Sequence, residues 1–366
     1  MAALWRPFTF GGHGLHSRVV VAPMSRVSTG GDGVPTSAMC DYYRAFARGG
    51  FGLVVTEGTY TASRLSQAYT DQPGLLTESQ ADGWRRVTDA VHEDGALIVA
   101  QLMHGGALSQ SLTDTLAPSV VQPRGKKMPE YGGSGSYPLP TAMTDADVAE
   151  AIAGFATSAR LAAAAGFDGV EVHAANGYLL DQFITDYTNL REDRYGGSPG
   201  DRARVVAEAV TAIRAATGAD LLVGVRLSQA KVNDARHRWQ DRAEAAAVLQ
   251  TVAGARPDYL HLASEGKPWT DSGVLPDHTP LGRLARELTG LPVMVNGGLD
   301  DPALAAQVLD DGHADLVSLA RGALANPDWP YRVRAGDALR SFHPGMITPV
   351  ATVANTQHFL ANLDRA

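Results

Sequence analysis

The stretch GVEVHAANGYLLDQFITDYTNLREDRYGGS, residues 169–198, begins with a short β-branched run flanked by Gly166-Phe167-Asp168 and by a polar loop. That pattern reads as a buried strand over 168–172. Its carboxyl end delivers His173, and Asn176 and Tyr178 follow within five residues. Three hydrogen-bonding side chains directly after a buried strand occupy the place where a parallel α/β scaffold carries its chemistry.

Working outward, the chain alternates strand and helix patterns, which favours a parallel sheet joined by crossover helices. Strands are expected near 18–24, 52–57, 96–102, 168–172, 221–227, 258–262, 291–296 and 315–319. Helical patterns fall near 37–48, 79–93, 145–165, 201–217, 241–254, 280–288, 302–310 and 328–336, several of them opening on Asp, Thr or Pro signals. Eight such pairs predict one α/β domain over 1–366, a (β/α)8 TIM barrel with its active site at the strands' carboxyl ends. Residues 1–17 are expected to cap the opposite end. The insertion 103–142, rich in Gly and Pro, is too long for an ordinary connection and reads as a lid over the active face. Residues 337–366 form a C-terminal extension.

If one site is shared, polar groups should recur at other strand ends, and they do. Pro23-Met24-Ser25 follow the first strand, Gly58 the second, Gln101 lies at the third and Arg226 at the fifth. Gly297-Gly298 follow the seventh, and Ala320-Arg321 the eighth. Any one of these alone reads as a cap or loop contact. Together, Gly297-Gly298 ahead of a helix and Arg321 beside a glycine make the phosphate cradle usual after the last two barrel strands, so a phosphate-bearing cofactor is implied.

Composition narrows the function further. A formal net charge of −8 without a basic run argues against a nucleic-acid partner. The single cysteine, Cys40, excludes an intramolecular disulfide and an iron–sulfur cluster. His92, His104, His261 and His313 lack metal-ligand spacing, so no metal is expected. Residues 1–14 lack the pattern of a secretory signal, and no run reaches the roughly 18 apolar residues of a membrane span, so a soluble cytoplasmic protein without a membrane partner is expected. Oligomeric state is left open, a homo-oligomer included.

The opening stretch resembles the signature of the old yellow enzyme family, flavin-dependent ene-reductases: His-x-x-Asn-or-His-Gly-Tyr-Leu, then Asn-x-Arg-x-Asp-x-Tyr-Gly-Gly-Ser. It is matched by His173, Asn176, Gly177, Tyr178 and Leu179, then by Asn189, Arg191, Asp193, Tyr195, Gly196, Gly197 and Ser198. The resemblance implies FMN as cofactor, NADH or NADPH as reductant and a small electron-poor alkene as substrate. It implies that Pro23, Met24, Ser25 and Gly58 line the flavin ring, that Gln101 meets its pyrimidine edge, and that Arg226 lies near N1. Gly297, Gly298, Ala320 and Arg321 would hold the phosphate. Ser25 departs from the family's usual Thr or Cys, keeping a hydroxyl without the methyl that fixes its rotamer.

The same resemblance implies the catalytic roles. His173 and Asn176 would bind the carbonyl or nitro oxygen of the alkene, hydride would reach the β-carbon from flavin N5, and Tyr178 would protonate the α-carbon. Asn189, Arg191, Asp193 and Tyr195 are expected to shape their loop, and Trp84 and Trp329 to pack. Two alternatives stand beside this reading: a flavin barrel with diverted chemistry or a ligand-binding role, and an enzyme similar to the tRNA-dihydrouridine synthases. The second would use a cysteine acid and a basic face where this chain has Tyr178 and net negative charge.

Overall fold

In the computed structural model the described residues are 1–264 and 266–363. Glu265, within the loop 263–279, and 364–366, the end of the C-terminal extension, lie outside them. Eight parallel strands close on themselves: β1 (Val19–Val21), β2 (Leu53–Val55), β3 (Leu97–Met103), β4 (Gly169–Asn176), β5 (Leu222–Lys231), β6 (Tyr259–Ala263), β7 (Val293–Val295) and β8 (Leu316–Leu319). Each pairs with the next, and β8 pairs with β1 through Val317↔Val19, Ser318↔Val20 and Leu319↔Val21. The expected barrel is observed.

Between the strands run α1 (Ser37–Arg48), α2 (Glu78–Glu93), α3 (Asp145–Ala164), α4 (Pro199–Thr217), α5 (Arg242–Gly254), α6 (Leu281–Thr289) and α7 (Pro302–Asp310), with α8 (Trp329–Ala335) after β8. Their starts follow local chemistry. Thr144 and Asp147 form a reciprocal capping box at α3, and Asp301 accepts from the Ala303 and Leu304 amides ahead of Pro302 at α7.

Alternate residues of the strands fill the barrel in layers. Val20, Leu53, Val55, Val99, Leu222, Tyr259, Met294 and Leu316 form an apolar floor, joined by Phe10 and Leu15. Those two come from an antiparallel hairpin, Phe8–Phe10 with His13–Leu15, whose Phe10 ring lies 4.7 Å from that of Tyr259. The hairpin thus closes the end away from the active face. A Cβ on Gly224 would stand 2.0 Å from the Tyr259 ring, so the missing side chain makes room for the tyrosine.

β4 and β5 run past the ends expected from the sequence. Lys231 pairs with Asn176 beyond an irregularity after Leu227, so His173 lies inside its strand. The polar run Ser228-Gln229-Ala230-Lys231 stays extended because its side chains find buried partners, Gln229 Nε2 donating to the Ser272 and Val274 carbonyls. The insertion 103–142 is folded. It carries 3-10 turns at Gly106–Leu108 and Pro129–Tyr131 and a parallel pairing of Leu116–Ala117 with Thr141–Ala142. Its Met128, Tyr131 and Tyr137 pack with Val27, Tyr69 and Tyr178 at the active face.

Candidate active site

Above the apolar floor the same inward positions turn polar. Glu171 Oε1 accepts from Gln101 Nε2 at 2.8 Å, and Oε2 accepts from Tyr259 Oη at 3.1 Å. His261 Nδ1 lies 2.8 Å from the same Oε2 and its Nε2 2.8 Å from Ser318 Oγ. Arg226 Nη1 approaches His261 Nε2 at 2.6 Å. Burial alone would raise the Glu171 carboxyl, but the hydrogen bonds from His261 and Gln101 and the Arg226 charge hold it below the usual carboxylate range. Burial and then the Arg226 charge lower His261 to about 4. The layer therefore holds an ionised Glu171, a neutral His261 with its proton assigned to Nδ1, and a cationic Arg226.

His173 stands one inward position above Glu171 and pairs in register with Arg226. Burial, then the Arg226 charge, lowers its pKa to about 3, so the imidazole is neutral. Its Nδ1 is buried without a hydrogen-bond partner, and so is Oδ1 of Asn176. Asn176 has φ +67°, a left-handed conformation that asparagine tolerates better than most residues. Its amide N donates to Ser228 Oγ at 2.8 Å and its carbonyl accepts from Val232 N at 3.0 Å, which fixes the turn. Tyr178 precedes the short helix Leu179–Ile184, and its ring centroid lies 5.2 Å from that of His173. His173 and Tyr178 are thus brought together, with Asn176 in the turn that joins them.

The loop after β1 lies beside this group. Glu57 Oε2 accepts from the Arg26 and Val27 amides at 2.7 and 3.0 Å, and Oε1 accepts from Tyr43 Oη at 3.1 Å. This carboxyl fixes residues 26–27 next to Pro23, Met24 and Ser25. The Gly58 carbonyl accepts from Gln72 Nε2 at 2.6 Å, and a Cβ on Gly58 would meet Met103 Sδ at 2.4 Å. Gln101 is anchored below by Glu171.

The ends of β6, β7 and β8 converge on the other side. Ser264 N donates to Asn296 Oδ1 at 2.8 Å, and the Gly297 carbonyl accepts from Trp269 N at 2.8 Å. Gly297 and Gly298 have φ of +124° and +67°; a Cβ on Gly298 would meet nothing within 4 Å. Open space beside a glycine backbone suits close approach by a ligand. Arg321 lies near Gly266, its guanidinium 5.3 Å over the Phe342 ring and without an ion pair among the described residues. An unneutralised guanidinium after β8 and an open glycine turn after its barrel neighbour β7 fit a phosphate. At the other end of the site, the partnerless His173 and Asn176 atoms fit a ligand that meets polar groups there.

Residues 3–340 match the profile of the NADH:flavin oxidoreductase / NADH oxidase family. The chain belongs to this family, that of the old yellow enzymes. It is 34% identical over 359 residues to a probable flavin mononucleotide-dependent alkene reductase of Leishmania infantum, covering 93% of this chain and 92% of the relative. Identity to 12-oxophytodienoate reductase 7 of Oryza sativa subsp. japonica is 33% over 378 residues, 98% and 94% of the two chains. Among solved structures, the old yellow enzyme homologue from Zymomonas mobilis superposes with a TM-score of 0.83 at 29% identity, covering 92% of this chain and 94% of that one. Morphinone reductase in complex with tetrahydroNAD gives 0.82 at 32% identity, with 96% of each chain covered. The protein is an FMN-dependent oxidoreductase of this fold that draws its electrons from a nicotinamide.

Sequence reasoning missed several residues of the site. Glu171 and His261 were left out of it, although a carboxylate inside the apolar run Val170-Glu171-Val172 signals a buried ionic partner. Tyr69, which meets Tyr178 through its hydroxyl, lies in an irregular segment with no local signal. Asn189, Arg191 and Asp193 shape their loop: Asn189 Nδ2 donates to the Phe183 and Tyr195 carbonyls, and Arg191 pairs with Asp193. Trp84 and Trp329 are buried in the core.

Proposed function

We propose that His173 and Asn176 bind the activating oxygen of an electron-poor alkene and that Tyr178 protonates its α-carbon. The protein is an ene-reductase: it reduces the activated C=C bond of α,β-unsaturated carbonyl and related compounds with NADH or NADPH. FMN, when bound, supplies the hydride that reaches the β-carbon. The observation carrying this reading is the pair of partnerless buried polar atoms, on a neutral imidazole and on an amide whose O and N ends are interchangeable, beside a phenol. Neutral donors aimed at an oxygen that gains charge stabilise an enolate without competing for the proton.

Gly58, Pro23, Met24, Ser25, Gln101 and Arg226 are the residues that would contact the flavin ring, and Gly297, Gly298, Ala320 and Arg321 those that would hold its phosphate. A guanidinium near the ring's pyrimidine edge favours negative charge there. Among the described residues no helix is long and apolar enough to cross a membrane, and the cytoplasm, where reduced nicotinamides are at hand, is the compartment we assign.

The test is steady-state turnover by purified, FMN-loaded protein of 2-cyclohexenone, a maleimide and a nitroalkene, with each nicotinamide. Consumption of alkene matched by nicotinamide oxidation is expected. A protein that takes up FMN and is reduced by nicotinamide, yet leaves every alkene intact, would favour diverted chemistry instead.

A further inference from the structure

Tyr69 sits between β2 and α2, in a segment held by side-chain bonds. Gln72 Oε1 accepts from the Ala68 and Tyr69 amides at 2.8 and 3.3 Å, while its Nε2 is tied to the Gly58 carbonyl. The Tyr69 ring meets the Tyr178 ring edge-on, centroids 6.4 Å apart at 85°, and packs against Tyr131 of the insertion at 4.7 Å. Its hydroxyl hydrogen-bonds to the hydroxyl of Tyr178, and the Ser25 side chain acts on it from the loop after β1. Two hydroxyls from separate segments thus meet at the proposed acid, with Ser25 beside them.

We propose that Tyr69 is a positioning residue for the proton step, donating its hydroxyl hydrogen to Tyr178 Oη so that the Tyr178 O–H is oriented away from Tyr69 and the phenolate left after transfer is stabilised. This rests on Tyr178 being the proton donor. Ser25 acts to lower the Tyr69 hydroxyl's pKa, as a donor toward the Tyr69 oxygen does, and such a donor directs the Tyr69 hydrogen on to Tyr178. In the step itself the Tyr178 O–H bond breaks as a C–H bond forms at the α-carbon, and water later returns a proton to Tyr178. Tyr69 keeps its own hydrogen throughout, consistent with burial pushing its hydroxyl well above the ordinary phenol range. Nothing is oxidised or reduced in this proton transfer.

The experiment compares Tyr69→Phe and Tyr178→Phe, loaded with FMN, in three stopped-flow reactions: reduction by NADPH, reoxidation by 2-cyclohexenone and reoxidation by benzoquinone. Phenylalanine at 69 keeps the ring packing and removes only the hydroxyl. Tyr69→Phe is expected to slow the enone step by about tenfold or more, below the full loss of a positioned acid, and to raise its solvent deuterium isotope effect. NADPH reduction and the quinone step, in which oxygen exchanges protons with water, should hold. In apoprotein labelled with 13Cζ-tyrosine, the Tyr178 resonance should shift in Tyr69→Phe, a readout independent of turnover.

If Tyr178→Phe slows the enone step while Tyr69→Phe leaves both that step and the resonance as in the native protein, the inference is overturned and the proton donor stands. If Tyr178→Phe reduces the enone normally, the donor assignment fails and carries this inference with it. Equal slowing of all three reactions by Tyr69→Phe would make its role merely structural and overturn the proposal. Should that variant not fold, 3-fluorotyrosine at 69, a stronger donor of the same shape, is expected to change the enone rate alone; an unchanged rate would overturn it.

Discussion

Lys231 Nζ lies 2.6 Å from Asp181 Oδ1, and both side chains are buried, behind the turn that presents Asn176 and Tyr178. Lys231 also donates to the Ser228 carbonyl at 3.2 Å, and Asp181 Oδ2 accepts from Gly177 N at 2.7 Å. The ion pair thus joins the end of β5 to the short helix after β4 across two left-handed residues, Asn176 and Gly177.

Lys231→Met should therefore destabilise the protein by about 3–5 kcal/mol, the usual result of leaving a buried carboxylate without its cation. Lys231→Met with Asp181→Leu should recover much of that loss, since neither charge is then stranded. Urea unfolding of the two variants checks the ordering. If the single substitution is neutral, the pair does not hold the turn.

Glu57 makes stability depend on pH. Burial pushes its carboxyl up from 4.5 to about 7, outweighing the Arg26 and Val27 amides and the Arg26 charge, which act to lower it. Since its folded pKa is raised, Glu57 contributes stability that is complete below the unfolded value near 4.5 and is lost as pH rises through about 7. The size is about 3 kcal/mol. Glu57→Gln, whose amide oxygen can accept from both backbone donors, should remove this component. Unfolding free energies of native and variant protein between pH 5 and 8 should diverge with a slope; a constant difference would reject the assignment.

Helix positions were legible because side chains at their ends speak locally. Thr144 with Asp147, Asp241 and Asp301-Pro302 mark starts that the structure reproduces within a residue or two. The barrel was legible from alternation, since eight apolar runs between amphipathic helices have one economical closure. What stayed hidden was set by partners distant in sequence. Nothing near Lys231 announces that Asp181, fifty residues earlier, will let a lysine continue a buried strand. Tyr69 and Tyr178 are 109 residues apart and meet only because a loop bound by Gln72 crosses the active face. His173 and Asn176 were legible in the opposite way, since they stand three positions apart in one signature at the end of one strand.

His173 is neutral over the working range, its pKa held at about 3 by burial and by Arg226, so binding of an anionic ligand oxygen should not follow a histidine titration. With 4-hydroxybenzaldehyde as probe, the long-wavelength band of phenolate over oxidised flavin should show no inflection between pH 5 and 8 beyond that of the phenol itself. Replacing both His173 and Asn176 by Ala should abolish the band while FMN stays bound, since no contact described at the phosphate end involves either residue. An undiminished band in the double variant would place the oxygen-binding site elsewhere.

The two arginines assigned to the flavin should separate by assay. Arg321 lies at the phosphate end, exposed and stacked on Phe342, with its charge unneutralised among the described residues. Arg321→Ala should weaken FMN binding by about tenfold or more, as expected for losing one charge-assisted contact, and leave the flavin potential near its native value. Arg226 is buried in register with His173 and His261, where its charge also supports the ionised Glu171. Arg226→Met should lower the potential, because negative charge arriving on reduction would lose its nearest cation while Glu171 remains below. Fluorescence titration of apoprotein with FMN and dye-linked potentiometry decide between them. A potential shift in Arg321→Ala larger than in Arg226→Met would exchange the ring and phosphate ends of the site.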